Sequence, residues 1–167
     1  MVDVLSNMEL EPEQRRMIQT IKNSSFSLLR IIDDILDTTK IEAGKLELEA
    51  VSVHLRPVIE GVAETMLSAA DDGSVKLSLF IDPALPEWVN SDATRLRQVL
   101  LNLISNAVKF SRREKGAEPG SVELRADLMD NMGVQFTVTD TGIGMTEEIM
   151  SKLFKPFSQG EESTTRE

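Results

Sequence analysis

Two asparagines four residues apart and a lysine three further on, Asn102, Asn106 and Lys109, interrupt the apolar run LLNLISNAVKF of residues 100–110. On a helix that turns about 100° per residue, these three side chains project within roughly 60° of one another. Arg95 and Gln98 fall on the same side. Leu96, Val99, Leu100, Leu103, Ala107 and Phe110 are expected to cover the opposite, apolar arc. Asn costs about 0.6 kcal/mol relative to Ala in a helix interior, so a stripe built from it asks for a chemical reason. Amide oxygens are neutral ligands for Mg²⁺ or its water shell, and a lysine ammonium offers a point charge to phosphate. Such a set could hold a metal–phosphate complex in an acidic chain without adding negative charge. A polar face that simply meets water is the competing reading.

A second group follows about thirty residues later in VTDTGIGM, residues 138–145. Asp140 closes an alternating segment, where a carboxylate can accept a hydrogen bond from an exocyclic amine. Gly142 and Gly144 let the backbone turn tightly and come close to a planar ligand; a plain strand-to-helix turn explains the same pair. Asp-Thr-Gly is also the loop of aspartic proteases, but those sites need two such loops sharing a proton in an all-β body. Here it occurs once, and Thr146-Glu147-Glu148 starts a helix. In FKPFSQGEESTTRE, Phe154 and Phe157 bracket Pro156 and the rest is polar, the composition of a mobile lid. For residues 161–167 an ordinary frayed terminus is the better reading.

These groups need elements to place them. Met1 to Met8 reads as a short amphipathic piece, and Pro12 suits the first turn of the next helix. From Glu13 to about Ala43, Met17, Ile21, Leu28, Ile31 and Ile35 recur at steps of four and three, with Gly44 as an end signal. A helix this long pairs more naturally with other helices than with the surface of its own domain. After Gly44 the pattern predicts a short extended stretch to Val53 and a helix opened by Pro57. A strand follows on alternating Val75, Leu77, Leu79 and Ile81. Pro83 and Pro86 mark a loop, and Ser91 or Asp92 can cap the helix of the asparagines, which ends near Ser111. Val122 to Leu128 and Val134 to Val138 alternate around the turn residues Asp130-Asn131-Met132-Gly133, a hairpin. Helices among mostly antiparallel strands predict an α+β, two-layer sandwich with the helices on one face of the sheet.

Composition narrows the chemistry. The 167 residues are 41% apolar and 28% charged, as in a globular protein that can bury a core. No apolar run approaches the roughly 18 residues of a membrane span, and no signal-peptide pattern opens the chain; the expectation is a soluble piece without direct membrane contact. The net charge of −10 argues against nucleic acid as a partner. Cysteine is absent and His54 is the single histidine, which leaves no thiolate site and no His cluster; His54 reads as a surface or packing residue.

The ordered segments Asn102-Leu-Ile-Ser-Asn106-Ala-Val-Lys109-Phe110, Asp140-Thr-Gly142-Ile-Gly144 and Phe154-Lys-Pro-Phe157 resemble the N, G1 and F boxes of sensor histidine kinases. Residues 31–49, IIDDILDTTKIEAGKLELE, are similar to the second dimerisation helix of that family and its exit into the ATP-binding domain. The style of the F box resembles that of hybrid kinases. The resemblance implies the histidine kinase/gyrase/chaperone-type ATP-binding fold over residues 46–167. Residues 1–45 would be part of a helical hairpin that dimerises as a four-helix bundle. It implies ATP and Mg²⁺ as ligands, with Asn106 as the principal magnesium ligand and Asn102 assisting. Lys109 would meet the phosphates and Asp140 the adenine amino group. Gly142 and Gly144 would shape that pocket, with Met145 and Phe157 near its walls or lid hinge and Arg166 reaching toward the terminal phosphate.

It also implies departures. The phosphoacceptor histidine of the family lies on the first dimerisation helix, before the position of Met1, and the second glycine box would follow Arg166. The chain therefore reads as a piece clipped at both ends, able to hold nucleotide weakly but not to phosphorylate itself. The implied parent is a protein-histidine kinase that passes the ATP γ-phosphoryl to a histidine and on to the aspartate of a response-regulator receiver domain. This piece would lie in the cytoplasm, a location compatible with a parent anchored in an inner membrane. Two rivals are an ATPase of the same superfold and a noncatalytic dimerisation or signalling scaffold. The hydrolytic relatives place a Glu one turn before the metal-binding Asn, to activate water; here that position is Asn102.

Overall fold

The computed structural model describes residues 11–69, 74–114, 116–151 and 153. It divides into two compact units, residues 1–48 and 49–167. The expected short helix of Met1 to Met8 lies outside the described residues. In the first unit α1 spans Pro12–Glu42. Pro12 opens it without the loss of an intrahelical bond, and the Glu11 N–H donates to Gln14 Oε1 at 3.1 Å. At the other end Gly44 takes φ +64°. There the Lys45 N–H reaches Lys40 O at 2.8 Å and the Gly44 N–H reaches Ile41 O at 3.0 Å. This left-handed cap satisfies carbonyls that the helix leaves open, as the glycine at that position predicted.

The second unit runs β1 (Val51–His54), α2 (Leu55–Ala69), β2 (Val75–Ile81), β3 (Trp88–Ser91), α3 (Ala93–Ser111), β4 (Gly120–Leu128), β5 (Val134–Asp140) and the single turn α4 (Glu147–Met150). The three-stranded sheet has the order β2-β4-β5, and α2 and α3 supply the helical layer. Ile59 and Val62 of α2 and Leu100, Ile104, Ala107 and Val108 of α3 share one core with Val75 of β2 and Val122, Leu124 and Ala126 of β4. Val134, Phe136 and Val138 of β5 pack against it, while Gln135, Thr137 and Thr139 are exposed. Each fully buried aliphatic side chain contributes roughly 1.5–3 kcal/mol, and period-two patterning puts all of them on one face.

β4 and β5 form the expected antiparallel hairpin, in register from Val122↔Asp140 to Leu128↔Val134. Its turn is closed by Met129 N–H to Gly133 O at 2.8 Å and by the Gly133 N–H on Asn131 Oδ1 at 2.9 Å. Two features go beyond the sequence reading of mostly antiparallel strands. β2 pairs with β4 in parallel, Val75↔Gly120 through Ile81↔Ala126, because β3 and α3 intervene and return the chain in the same direction. The stretch after Pro86, expected as loop, contains β3, which pairs antiparallel with β1 from Val51↔Ser91 to His54↔Trp88. Four residues beside prolines are too short to show a strand period. His54 is there a packing residue, stacked on Trp88 with ring centroids 4.8 Å apart and 3.3 Å from a Glu87 carboxylate oxygen. No helix among the described residues is long and apolar enough to cross a membrane.

Candidate functional site

Asp92, one of the two expected caps, fixes the start of α3. Its Oδ1 accepts the N–H groups of Thr94 and Arg95, both at 3.0 Å, and its Oδ2 accepts the Glu49 N–H at 3.2 Å. These donors hold the Asp92 carboxyl below its ordinary pKa, the Arg95 N–H contributing most. From that cap the helix presents three longitudinal strips. Leu96, Leu100, Ile104, Ala107, Val108 and Ser111 face inward. Asn102, Asn106 and Lys109 are exposed. Between them runs a ledge of Val99, Leu103 and Phe110, which corrects the expectation that these three belong to the covered arc: they are 56%, 47% and 40% exposed. The core takes a narrower arc than the apolar count suggests. Ile104 and Val108, not Val99 and Leu103, complete it.

The far end of α3 meets the end of β5. A Cβ on Gly142 would lie 2.8 Å from Phe110 O and 2.7 Å from Asp140 Oδ1, so only a glycine lets the DTG loop close on the helix terminus. The Gly142 N–H donates to Asp140 Oδ1 at 2.8 Å, and Asp140 Oδ2 takes no hydrogen bond from a described residue. The carboxylate is exposed and its orientation is set by the loop that follows it. Gly144 adopts φ +70°, which turns the chain before Thr146 caps α4, Oγ1 accepting the Ile149 N–H at 3.3 Å. Met145 is exposed. The Lys109 ammonium lies 5.0 Å from the centroid of the Phe110 ring. The structure thus brings Lys109, Asp140 and Gly142 to one corner, with Asn106 and Asn102 one and two turns back along the helix. Phe154, Phe157 and Arg166 lie outside the described residues.

Two residues at this corner escaped the sequence reading. The Arg113 guanidinium Nη2 donates to Thr141 O at 2.6 Å. The Thr141 Oγ1 accepts the Ser121 N–H at 2.8 Å, and the Thr141 N–H returns to Ser121 O at 3.0 Å. Together they tie the DTG loop to the loop after α3 and to β4. A basic residue just beyond a helix end was the available signal, but RREKGAEPGS reads first as solvated loop.

No group of three or more His, Cys, Asp or Glu side chains that could hold a metal occurs among the described residues. What the corner offers a cation is neutral amide oxygen, beside one lysine and one carboxylate. That donor set fits Mg²⁺ brought in by phosphates, since the ion keeps several waters and takes few protein ligands. It does not fit a dedicated protein-only metal centre.

Residues 91–167 match the family described as Histidine kinase-, DNA gyrase B-, and HSP90-like ATPase. The chain is 39% identical over 168 residues to Hybrid signal transduction histidine kinase A of Dictyostelium discoideum, covering 98% of this chain and 8% of that protein. Among solved structures it is similar to full-length ShkA in complex with AMPPNP. That likeness has 33% identity and a TM-score of 0.68, over 89% of this chain and 31% of that one. A further likeness is to histidine kinase ThkA in complex with response regulator protein TrrA, with 25% identity and a TM-score of 0.60 over 91% and 42% of the two chains. The chain spans less than a fifth of the length of the curated relatives it matches. Fold, motif order and these likenesses agree: the chain carries the ATP-binding core of a sensor histidine kinase.

Proposed function

We propose that the corner between α3 and the DTG loop holds Mg·ATP, as the kinase step of a two-component relay. In this reading Asn106 is the main magnesium ligand and Asn102 supports it through the ion or its water. Lys109 neutralises phosphate charge. Asp140 accepts the adenine amino group, Gly142 and Gly144 leave room for the ring, and Met145 lies at its wall. Phe157 and Arg166 complete the set from the lid side, at its hinge and at the terminal phosphate respectively. The bound ion would supply charge neutralisation for phosphoryl transfer, a reaction governed by positioning and electrostatics more than by covalent help.

The observation that carries the reading is the approach of the Gly142 backbone to the end of α3, so close that a Cβ would clash with Phe110 O; it supports placing the candidate base-binding carboxylate beside the candidate phosphate-binding helix. Asn102 favours transfer over hydrolysis, because an amide cannot serve as the general base that water attack requires. In the whole protein the γ-phosphoryl would pass to a histidine and then to a receiver-domain aspartate; ThkA, similar in fold, is described in complex with a response regulator. Residues 1–45 would supply part of a dimerising hairpin and residues 46–167 the catalytic domain. The exposed apolar stripe of α1 supports a homodimer.

The test is titration of the chain with Mg·ATP and Mg·GTP by calorimetry. Asp140→Ala should weaken ATP by about tenfold to a hundredfold and erase the preference over GTP, because a site built to hydrogen-bond one base discriminates through that bond. Equal affinity of the variant and the parent for ATP would overturn the assignment. In a longer protein that includes the acceptor helix, steady phosphate release without phosphohistidine would favour the ATPase. Partner association with no nucleotide affinity would favour the scaffold.

A further inference from the structure

Among the described residues β2 runs along the open edge of its sheet, with β4 as its only neighbour. The ladder decides which of its peptide groups are occupied. The Gly120 N–H donates to Ser74 O at 3.0 Å and the Asp82 N–H to Ala126 O at 2.9 Å. In a parallel pair, alternate residues of one strand bond to the same neighbour. Lys76, Ser78 and Phe80 therefore turn their peptide groups toward β4, between those two anchors. Val75, Leu77, Leu79 and Ile81 turn theirs to the open edge. No described residue outside the ladder bonds to the backbone of Leu77 or Leu79.

The side chains of those two leucines add to the edge. With Ser78 they form one wall of a cleft of about 280 Å³, and Glu60, Ala63, Glu64 and Leu67 of α2 form the other. The four helical residues are spaced as one face of a helix. Leu67 and Leu79 are 50% and 36% exposed. Edge strands are ordinarily guarded by proline, a bulge, an inward charge or a covering element. β2 keeps an unbroken one-to-one register from Val75 to Ile81 and contains no proline. Its one lysine, Lys76, does not line the cleft.

We infer that this edge docks an extended segment of a partner polypeptide, which adds as a further strand and sets apolar and basic side chains alternately into the cleft. Main-chain bonds to Leu77 and Leu79 supply affinity, and the cleft selects the side chains. The charge argues for a basic segment. Glu60 and Glu64 flank the cleft in a chain of net charge −10, and among the described residues their one ion pair is Arg56–Glu60, a 3.9 Å contact between half-exposed side chains. A lysine stem can lie along Leu67 and Leu79 with its ammonium at Glu64. An acidic segment would meet like charge. The inference concerns α2 and β2 and does not depend on the nucleotide site of α3 and β5.

The probe is a fluorescein-labelled peptide Val-Thr-Lys-Thr-Val-Thr-Lys, followed by fluorescence anisotropy and by amide hydrogen exchange on the whole chain. Binding should slow exchange at the Leu77 and Leu79 amides and leave the already bonded Ser78 amide unchanged. Replacing both Lys by Glu in the peptide, N-methylating it at alternate residues, or combining Glu60→Lys with Glu64→Lys in the protein should each weaken binding on the order of tenfold or more. The ligand-side changes keep the test independent of the folding of any variant. Absence of binding, equal binding of the acidic or N-methylated peptide, or binding without protection at Leu77 and Leu79 would each overturn the proposal.

Discussion

α1 and α3 are both amphipathic helices with an apolar stripe, yet they meet that stripe differently. Along α1 the apolar residues remain largely open, Ile31 at 54% and Ile35 at 49% exposure. Along α3, Leu100 and Ile104 are buried against the sheet. For a helix of 31 residues whose stripe is exposed among the described residues, the proposed homodimer would supply the covering helix, because most helical stability in proteins comes from packing of the apolar face. The 19-residue α3 is held by its own core, so its outer side is free to carry asparagine and lysine at a cost in propensity. The two stripes look alike in sequence; what separates them is that the sheet covers the stripe of α3, while that of α1 stays exposed among the described residues.

The largest break in this contrast should come from Gly120→Ala. A Cβ there would lie far inside contact distance of Ser111 O, at the point where α3 rests on β4, and it would meet the Ser111 backbone rather than the far end of a flexible side chain. We expect a loss of about 3 kcal/mol, seen as a fall in Tm of roughly 10 °C. An unchanged Tm would show that α3 is not locked to the sheet there. Next, Asn106→Asp on the exposed side should leave Tm near the parent value but weaken Mg·ATP about a hundredfold in calorimetry, since a new carboxylate repels the phosphates. A loss of fold instead would mean that the stripe is structural.

On α1 the expectation inverts. Ile31→Asp with Ile35→Asp should leave the melting of the second unit unaltered while the dimer dissociates at concentrations at least tenfold higher in analytical ultracentrifugation, each lost side chain removing apolar burial between copies. A monomeric parent chain would refute the pairing outright. The smallest effect concerns Asp92. Its folded pKa lies below the ordinary carboxylate value. The stability it adds is therefore complete above about pH 4 and declines as pH falls through the depressed pKa. Asp92→Asn keeps a capping oxygen but removes the titration. Its Tm should drop less on acidification than that of the parent, by on the order of 2 °C, and parallel curves would remove Asp92 from the acid response.

Much of this was legible in residue types. Period-two alternation located β2, β4 and β5, Asp-Asn-Met-Gly located the hairpin turn, and Gly44 located the end of α1. The pattern of Asn102, Asn106 and Lys109 gave their shared side correctly, because helix angles depend on spacing alone. Tertiary choices were hidden. Whether β2 runs parallel or antiparallel to β4 depends on the crossover, which alternation does not encode. Val99 and Leu103 are as apolar as Ile104, and only the position of the sheet decides which of them is covered. Arg113 was invisible for a related reason: its partner is a main-chain carbonyl 28 residues away, and every residue type carries one of those.

The parallel pairing of β2 with β4 also sets an order of assembly. β4 and β5 are joined by a short turn and can zip locally, whereas β2 must wait until the chain between Ile81 and Gly120 has closed into place, an entropic cost that rewards late contacts poorly. The hairpin should therefore be structured in the folding transition state and β2 should join afterwards. Conservative truncations such as Val138→Ala would then slow folding, while Leu77→Ala would mainly speed unfolding; the reverse pattern in stopped-flow kinetics would place the crossover first. During that interval the strand VKLSLFI stands open along both edges, which makes the newly made chain most vulnerable to self-association at the segment that is last to find its neighbour.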